Sequence, residues 1–245
     1  MVFFLENDLF TRQLKSSLKK TLILACWLPL IFLVLPAYAA GVYGVHGNPP
    51  ELAEHSITKV WGTASKEWIS SLQQNREVFL TLNAFGGSNG WKQFPDAVPV
   101  LANGEKLQIK YGGICPSHKG WRQQQLNTLQ QWLEDFSKER KISGIWLDFI
   151  RYPGRWEEEQ PVIPKTCYCN RCLTLFQQET ATTIPPALTT TRQKAAWIDQ
   201  HASEKWQQWK REQILSFVRE ARNIIDNYQP ADLTKAERIK LGAFL

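Results

Sequence analysis

The chain has 245 residues, of which 43% are hydrophobic and 21% charged, and a formal net charge of +6. That balance excludes a disordered or collagen-like chain and leaves enough apolar material for one large domain or two small ones. Basic residues are interleaved with acids, as in Lys138-Glu139-Arg140 and Lys210-Arg211-Glu212, which speaks against a nucleic-acid partner and for solvated helix faces.

In the first forty residues, Arg12, Lys15, Lys19 and Lys20 precede an apolar run over 21–36, followed by Ala37-Tyr38-Ala39. This is the order of a secretory signal with cleavage after Ala39. The run is short for a bilayer span, so a membrane is expected to be met only through this segment, if it is left uncleaved. Residues 1–39 are therefore read as a signal peptide and 40–245 as the domain, exported to the periplasm or the extracellular space. Removing the signal leaves 25 Lys plus Arg against 21 Asp plus Glu, a net of +4.

Past the signal, residues 41–47 read as a short strand that puts His46 at its exit, where a ligand contact is expected. A second strand is expected over 58–62. Ser65 is a suitable helix N-cap for a stripe of Trp68, Ile69 and Leu72 running to about Arg76. The run 77–85 reads as a third strand, ending in a Gly-rich loop with Asn83 near its mouth. Residues 91–118 lack periodicity and are rich in Pro and Gly, the pattern of a long functional loop over the strand ends. From Gly120 to Arg140 the pattern is helical, which makes the connection to the next strand a β-α-β crossover.

That next strand, Gly144-Ile145-Trp146-Leu147-Asp148-Phe149-Ile150-Arg151-Tyr152-Pro153, is a nearly continuous apolar run interrupted by one carboxylate. The run predicts a strand buried on both faces. A carboxylate near the end of such a strand is costly unless that end opens onto a polar site. Asp148 is thus the candidate catalytic acid, and Arg151 and Tyr152, where the strand leaves the core, are candidate substrate contacts with His46 and Asn83. The plainer alternative is an Asp that caps a turn or pairs with Arg151. A short helix follows near 171–179, then helical periodicity over 193–228 with a break near Ala202, and a fifth strand from Arg238. Eleven Trp are many for this length; stacking on sugar rings and burial in the core are both open to them, and the helical spacing of Trp197, Trp206 and Trp209 favours the core.

Alternating strands and helices predict an α/β fold, either a doubly wound sheet or a barrel of the (β/α)8 type. A closed barrel has eight strands and typically ~250 residues. The 206 residues after the signal supply about five strands, so the expectation is a TIM-barrel type domain truncated after the fifth.

Four cysteines remain after the signal: Cys115, Cys167, Cys169 and Cys172. In an exported chain an even count first points to disulfides. Three thiols within six residues make such pairing crowded. A C-x-C-x-x-C loop completed by one distant cysteine instead fits a tetrahedral structural zinc with no open position. Zinc is expected, with disulfides as the alternative and no organic cofactor.

The combination of an upstream cysteine with Cys167-Tyr168-Cys169-Asn170-Arg171-Cys172-Leu173-Thr174-Leu175-Phe176 resembles the zinc-binding segment of family 42 beta-galactosidases, which are TIM-barrel glycosidases. The chain from Gly41 onward also resembles bacterial glycoside-hydrolase-like barrels that carry a G-I-x-L-D-x-I-R-Y-P strand followed by a C-Y-C-x-x-C loop. The resemblance implies a (β/α)8 fold and hydrolysis of a carbohydrate substrate, with Asp148 at the position of the strand-end acid. It departs from family 42 in having Asp148 where that family's strand-four acid is Glu. Glycosidases need two carboxyl groups. An ionised Asp148 suits the nucleophile or the stabilising carboxylate better than the proton donor, and Glu157, Glu158 and Glu159 are the weak candidates for a partner within the chain.

Overall fold

Apolar runs that follow loop signals become strands, and from the second strand onward helices return the chain so that successive strands run the same way. The computed structural model describes residues 43–47, 57–72, 76–87, 89–136, 142–155, 159–229 and 238–244, all within a unit spanning Val42–Leu245. The expected signal segment lies outside the described residues. No helix among the described residues is long and apolar enough to cross a membrane.

Five strands form one sheet: β1 (Tyr43–His46), β2 (Ile57–Gly62), β3 (Glu77–Asn83), β4 (Gly144–Asp148) and β5 (Lys240–Ala243). Their order in the sheet is their order in the chain, and every neighbouring pair is parallel. Sequential parallel winding with the helices on one face is how a barrel is built, whereas a doubly wound sheet reverses its order at a switch point.

The helices are α1 (Lys66–Ser71), α2 (Asn89–Gln93), α3 (Lys119–Phe136), α4 (Asn170–Thr180), α5 (Thr191–His201) and α6 (Ser203–Tyr228). Ser65 caps α1 by accepting the Trp68 N–H at 3.2 Å. Thr190 and Gln193 form a reciprocal capping box on α5. Ala202 separates α5 from α6, at the break expected from the sequence. The connection after β3 is less irregular than its composition predicts: α2 and a 3-10 turn (Pro95–Ala97) interrupt it.

Strand alternation sorts the side chains. Val78, Leu80 and Leu82 of β3 and Ile145 and Leu147 of β4 pack with Leu129 and Leu133 of α3 and with Phe217 and Ile225 of α6. The opposite face carries Phe79, Trp146 and Trp61, whose rings meet at centroid distances of 5.4–5.6 Å, with Phe244 5.6 Å from Trp146. Because Trp146 and Asp148 stand on this less buried face, β4 is not buried equally on both sides, as its apolar run predicts. The strand also ends earlier than expected. Asp148 Oδ1 accepts the N–H of Phe149 at 2.8 Å, and Phe149 turns to φ 53°. The chain therefore leaves the sheet at Asp148 itself, well before the stop expected at Pro153.

A second apolar core lies beside the sheet, built from Tyr168, Phe176, Ile198, Trp206 and Trp209 around the buried cysteines. Trp206 is 1% exposed and stacks between Tyr168 and Trp209, each at 5.1 Å. Most of the tryptophans are thus packed in cores, as their spacing predicts. Arg122, 9% exposed, joins the two cores: it donates to the carbonyls of Pro116 and Gln213 and pairs with Glu220 at 2.5 Å.

A Cβ on Gly144 would stand 2.6 Å from the Lys240 carbonyl oxygen, which is backbone and cannot swing aside. Gly144→Ala is expected to loosen the β4 to β5 pairing and cost about 1–3 kcal/mol of stability, read as a fall in the urea midpoint.

Candidate metal centre and strand-end site

Two loops cross over the sheet, and each brings thiols to the same place. The long connection between β3 and α3 delivers Cys115, held by its N–H donating to the Ala97 carbonyl at 2.8 Å. The connection between β4 and α4 delivers Cys167 and Cys169, the latter at the N-cap position of α4 without a side-chain capping bond, and Cys172 lies in the first turn of α4. The loops are tied by backbone: Tyr168 N donates to the Val100 carbonyl at 2.8 Å and Val100 N to Cys167 Sγ at 3.3 Å. At Gly112, φ is +67° and an added Cβ would lie 2.6 Å from the Tyr152 carbonyl oxygen, so only glycine allows this approach of the two loops.

All four sulfurs lie within 4.8 Å of one another. Cys115 Sγ is 3.4 Å from Cys172 Sγ and 4.0 Å from Cys169 Sγ. A tetrahedron with metal to sulfur bonds of ~2.3 Å has edges of ~3.8 Å, so the spacing fits one ion and leaves no room for a polynuclear cluster. The disulfide alternative is not what the structure contains: the four cysteines are free, and the spacing that lets three close thiols converge on a fourth suits coordination better than pairing.

The electrostatics agree with a cation's place. Burial pushes the Cys167 and Cys172 thiols well up, while hydrogen bonds from the other three cysteines hold Cys169 far below its ordinary value. Four thiols this close cannot all ionise alone; a divalent cation is what would let all four lose their protons. Tyr152 packs against this second core. Its hydroxyl is buried without a hydrogen-bond partner among the described residues, and its ring lies 4.2 Å from Lys210 Nζ. Burial, then the negative charge of Cys172 and Cys115, pushes the Tyr152 phenol well up.

Residues that the sequence did not single out complete the surroundings. Arg171 donates to Asp96 at 2.5 Å, and Asp96 also pairs with His118 at 3.1 Å. Burial works against the Asp96 carboxylate, but the His118 hydrogen bond and the charges of His118 and Arg171 outweigh it and hold Asp96 below its usual range. Ser117 is buried between two of the sulfurs. The sequence signal for these was slight, a polar Ser117-His118 pair just past the Cys115-Pro116 step.

The second group of candidate residues stands at the C-terminal ends of the strands. Asn83 of β3 and Asp148 of β4 are in register as neighbours, and both are partly buried. His46 ends β1 in register with Trp61; its side chain lies outside the described residues. Asn83 also works on its own loop, its Oδ1 accepting the Gly86 N–H at 2.6 Å. Arg151 follows in the turn after β4, its N–H donating to the Phe149 carbonyl at 2.7 Å. The structure therefore brings Asn83 and Asp148 together at the sheet end, and Tyr152 to the cysteines. Glu159 is exposed, while Glu157 and Glu158 lie outside the described residues.

No protein-family model matches the chain, and no curated protein matches it. Solved structures resemble it in fold. A beta-galactosidase from Bacillus circulans sp. alkalophilus shares 13% identity at a TM-score of 0.50, over 76% of this chain and 32% of its own. A beta-galactosidase from Rahnella sp. R3 shares 12% at a TM-score of 0.53, over 85% of this chain and 36% of its own. The chain spans about a third of the length of these neighbours. The likeness is one of fold: a parallel sheet with helices, an α/β arrangement.

Alkylation of the unfolded, unreduced protein should label Cys115, Cys167, Cys169 and Cys172 alike in a peptide map. Any pair recovered as a disulfide would contradict the free cluster.

Proposed function

We propose that this chain forms part of an exported glycoside hydrolase of the barrel type, cleaving an oligo- or polysaccharide at the C-terminal ends of the strands, and braced by one structural zinc. The observation that carries the proposal is the pairing of Asn83 and Asp148, two polar side chains in register at the ends of adjacent parallel strands, where barrels of this kind keep their chemistry. The beta-galactosidase neighbours support a sugar as the substrate class.

In this proposal Asp148 supplies one of the two carboxyl groups that glycoside hydrolysis needs. Ionised, it attacks the anomeric carbon or stabilises the positive charge that develops there, while a second carboxyl group protonates the leaving oxygen. Asn83, His46 and Arg151 orient the sugar hydroxyls. Tyr152 serves indirectly, by bracing the loop that carries Arg151 against the second core. Residues 1–39 direct export.

Zinc is the metal that the donor set favours: four soft thiolates at tetrahedral spacing, with no position left for water, give a structural and not a reacting ion. Bound there, it supplies cross-linking between the two loops. Purified without chelator, the protein should carry one zinc per chain. Because binding requires deprotonated thiols, affinity should fall as pH falls, and zinc should be lost on acidification together with the order of the loops.

A second function has one specific observation in its favour. Asp148 Oδ1 accepts the Phe149 N–H at 2.8 Å, so the carboxylate already serves the strand exit. A zinc-braced carbohydrate-binding or scaffolding module would keep Asp148 for that task alone. Turnover of chromogenic glycosides by the full-length, folded protein, abolished in Asp148→Asn with sugar affinity retained, supports the hydrolase. Sugar affinity without turnover favours the binding module.

A further inference from the structure

Ser117 is 2% exposed and stands two residues beyond Cys115 of the cluster. Its Oγ lies 3.2 Å from Cys115 Sγ and 3.2 Å from Cys172 Sγ. These two sulfurs belong to different segments, one before α3 and one in α4, and they are 3.4 Å apart. The position next to α3 would ordinarily employ a serine as a helix cap. Here that work is done by His118, whose Nδ1 accepts the Trp121 N–H at 3.0 Å. The Ser117 hydroxyl is left to the sulfurs.

We propose that Ser117 is the positioning residue of the metal centre, its hydroxyl proton directed between the Cys115 and Cys172 thiolates. This rests on the reading of the cluster as a metal site. Four thiolates around a divalent ion carry a net charge of −2, and three of the four cysteines are buried. A hydroxyl donor removes part of that charge from two sulfurs at once and fixes the angle at which they face the ion. Val100 N–H gives the same help to Cys167. With four thiolates around the ion, the oxygen has no vacant coordination position to fill, so it donates and does not ligate.

The Ser117 segment also explains how the two loops hold the sulfurs together. Pro116, one residue before, accepts from Arg122, and His118, one residue after, pairs with Asp96, which takes Arg171 from between Cys169 and Cys172. Ser117 is thus set by its neighbours on both sides, and its hydroxyl has little freedom to turn elsewhere.

The test compares the wild-type chain with Ser117→Ala, and Ser117→Thr with Ser117→Val, a pair of equal shape that differs in the hydroxyl. Each is loaded with Co²⁺ in place of zinc. The readouts are the sulfur-to-cobalt charge-transfer band and the affinity against a competing chelator. Loss of the hydroxyl is expected to shift the band and weaken metal binding by about 10–100-fold in Ala and Val, while Thr keeps values near wild type. A Ser117→Ala protein with the wild-type band and affinity would overturn the proposal, as would Thr and Val variants that behave alike. A wild-type chain that takes up no cobalt overturns the metal reading itself, and the role of Ser117 with it.

Discussion

Convergence of four sulfurs from two loops is the constraint on which the upper part of this molecule depends. The connection after β3 and the connection after β4 are both long. Joined at Cys115, Cys167, Cys169 and Cys172, they create a buried centre around which Tyr168, Phe176, Trp206 and Trp209 can pack. The cost of bringing the two loops together is entropic, and a cross-link closing so long a stretch of chain is an efficient way to offset it.

The sheet gives this clasp its purpose. Asn83 and Asp148 end the two strands from which those loops depart. Clamping the loops to each other therefore fixes the surroundings of the strand-end carboxylate, with Gly112 set against Tyr152 and the turn of Arg151 leading into it. Arg122 extends the same rigidity downward, linking the Pro116 carbonyl to α6 and so to the main core. Cysteine cluster, second core and sheet thus act as one support for a small polar site.

Much of the fold was legible in the sequence, because apolar runs and helix caps are local signals. β3, β4, α3 and the break at Ala202 follow from periodicity, and the start of α1 from Ser65. The cysteine spacing foretold the cluster for the same reason, since three of the cysteines are close in sequence. Legibility failed where a long-range contact decides the outcome. An apolar run cannot tell that Trp146 faces the aromatic side of the sheet with Asp148, or that Asp148 turns the chain at Phe149. Nor does any local pattern announce that Tyr152 leaves the strand end for the second core, or that Ser117 and Asp96 meet groups more than fifty residues away.

Hydrogen exchange of the native protein, with and without a strong chelator, tests the central claim most directly. If the sulfur centre holds the loops, metal removal should raise exchange across residues 95–118 and 167–206 while the amides of β3 and β4 stay protected. Unchanged protection in those loops after the metal is gone would contradict the account and leave the second core to stand on its apolar packing alone.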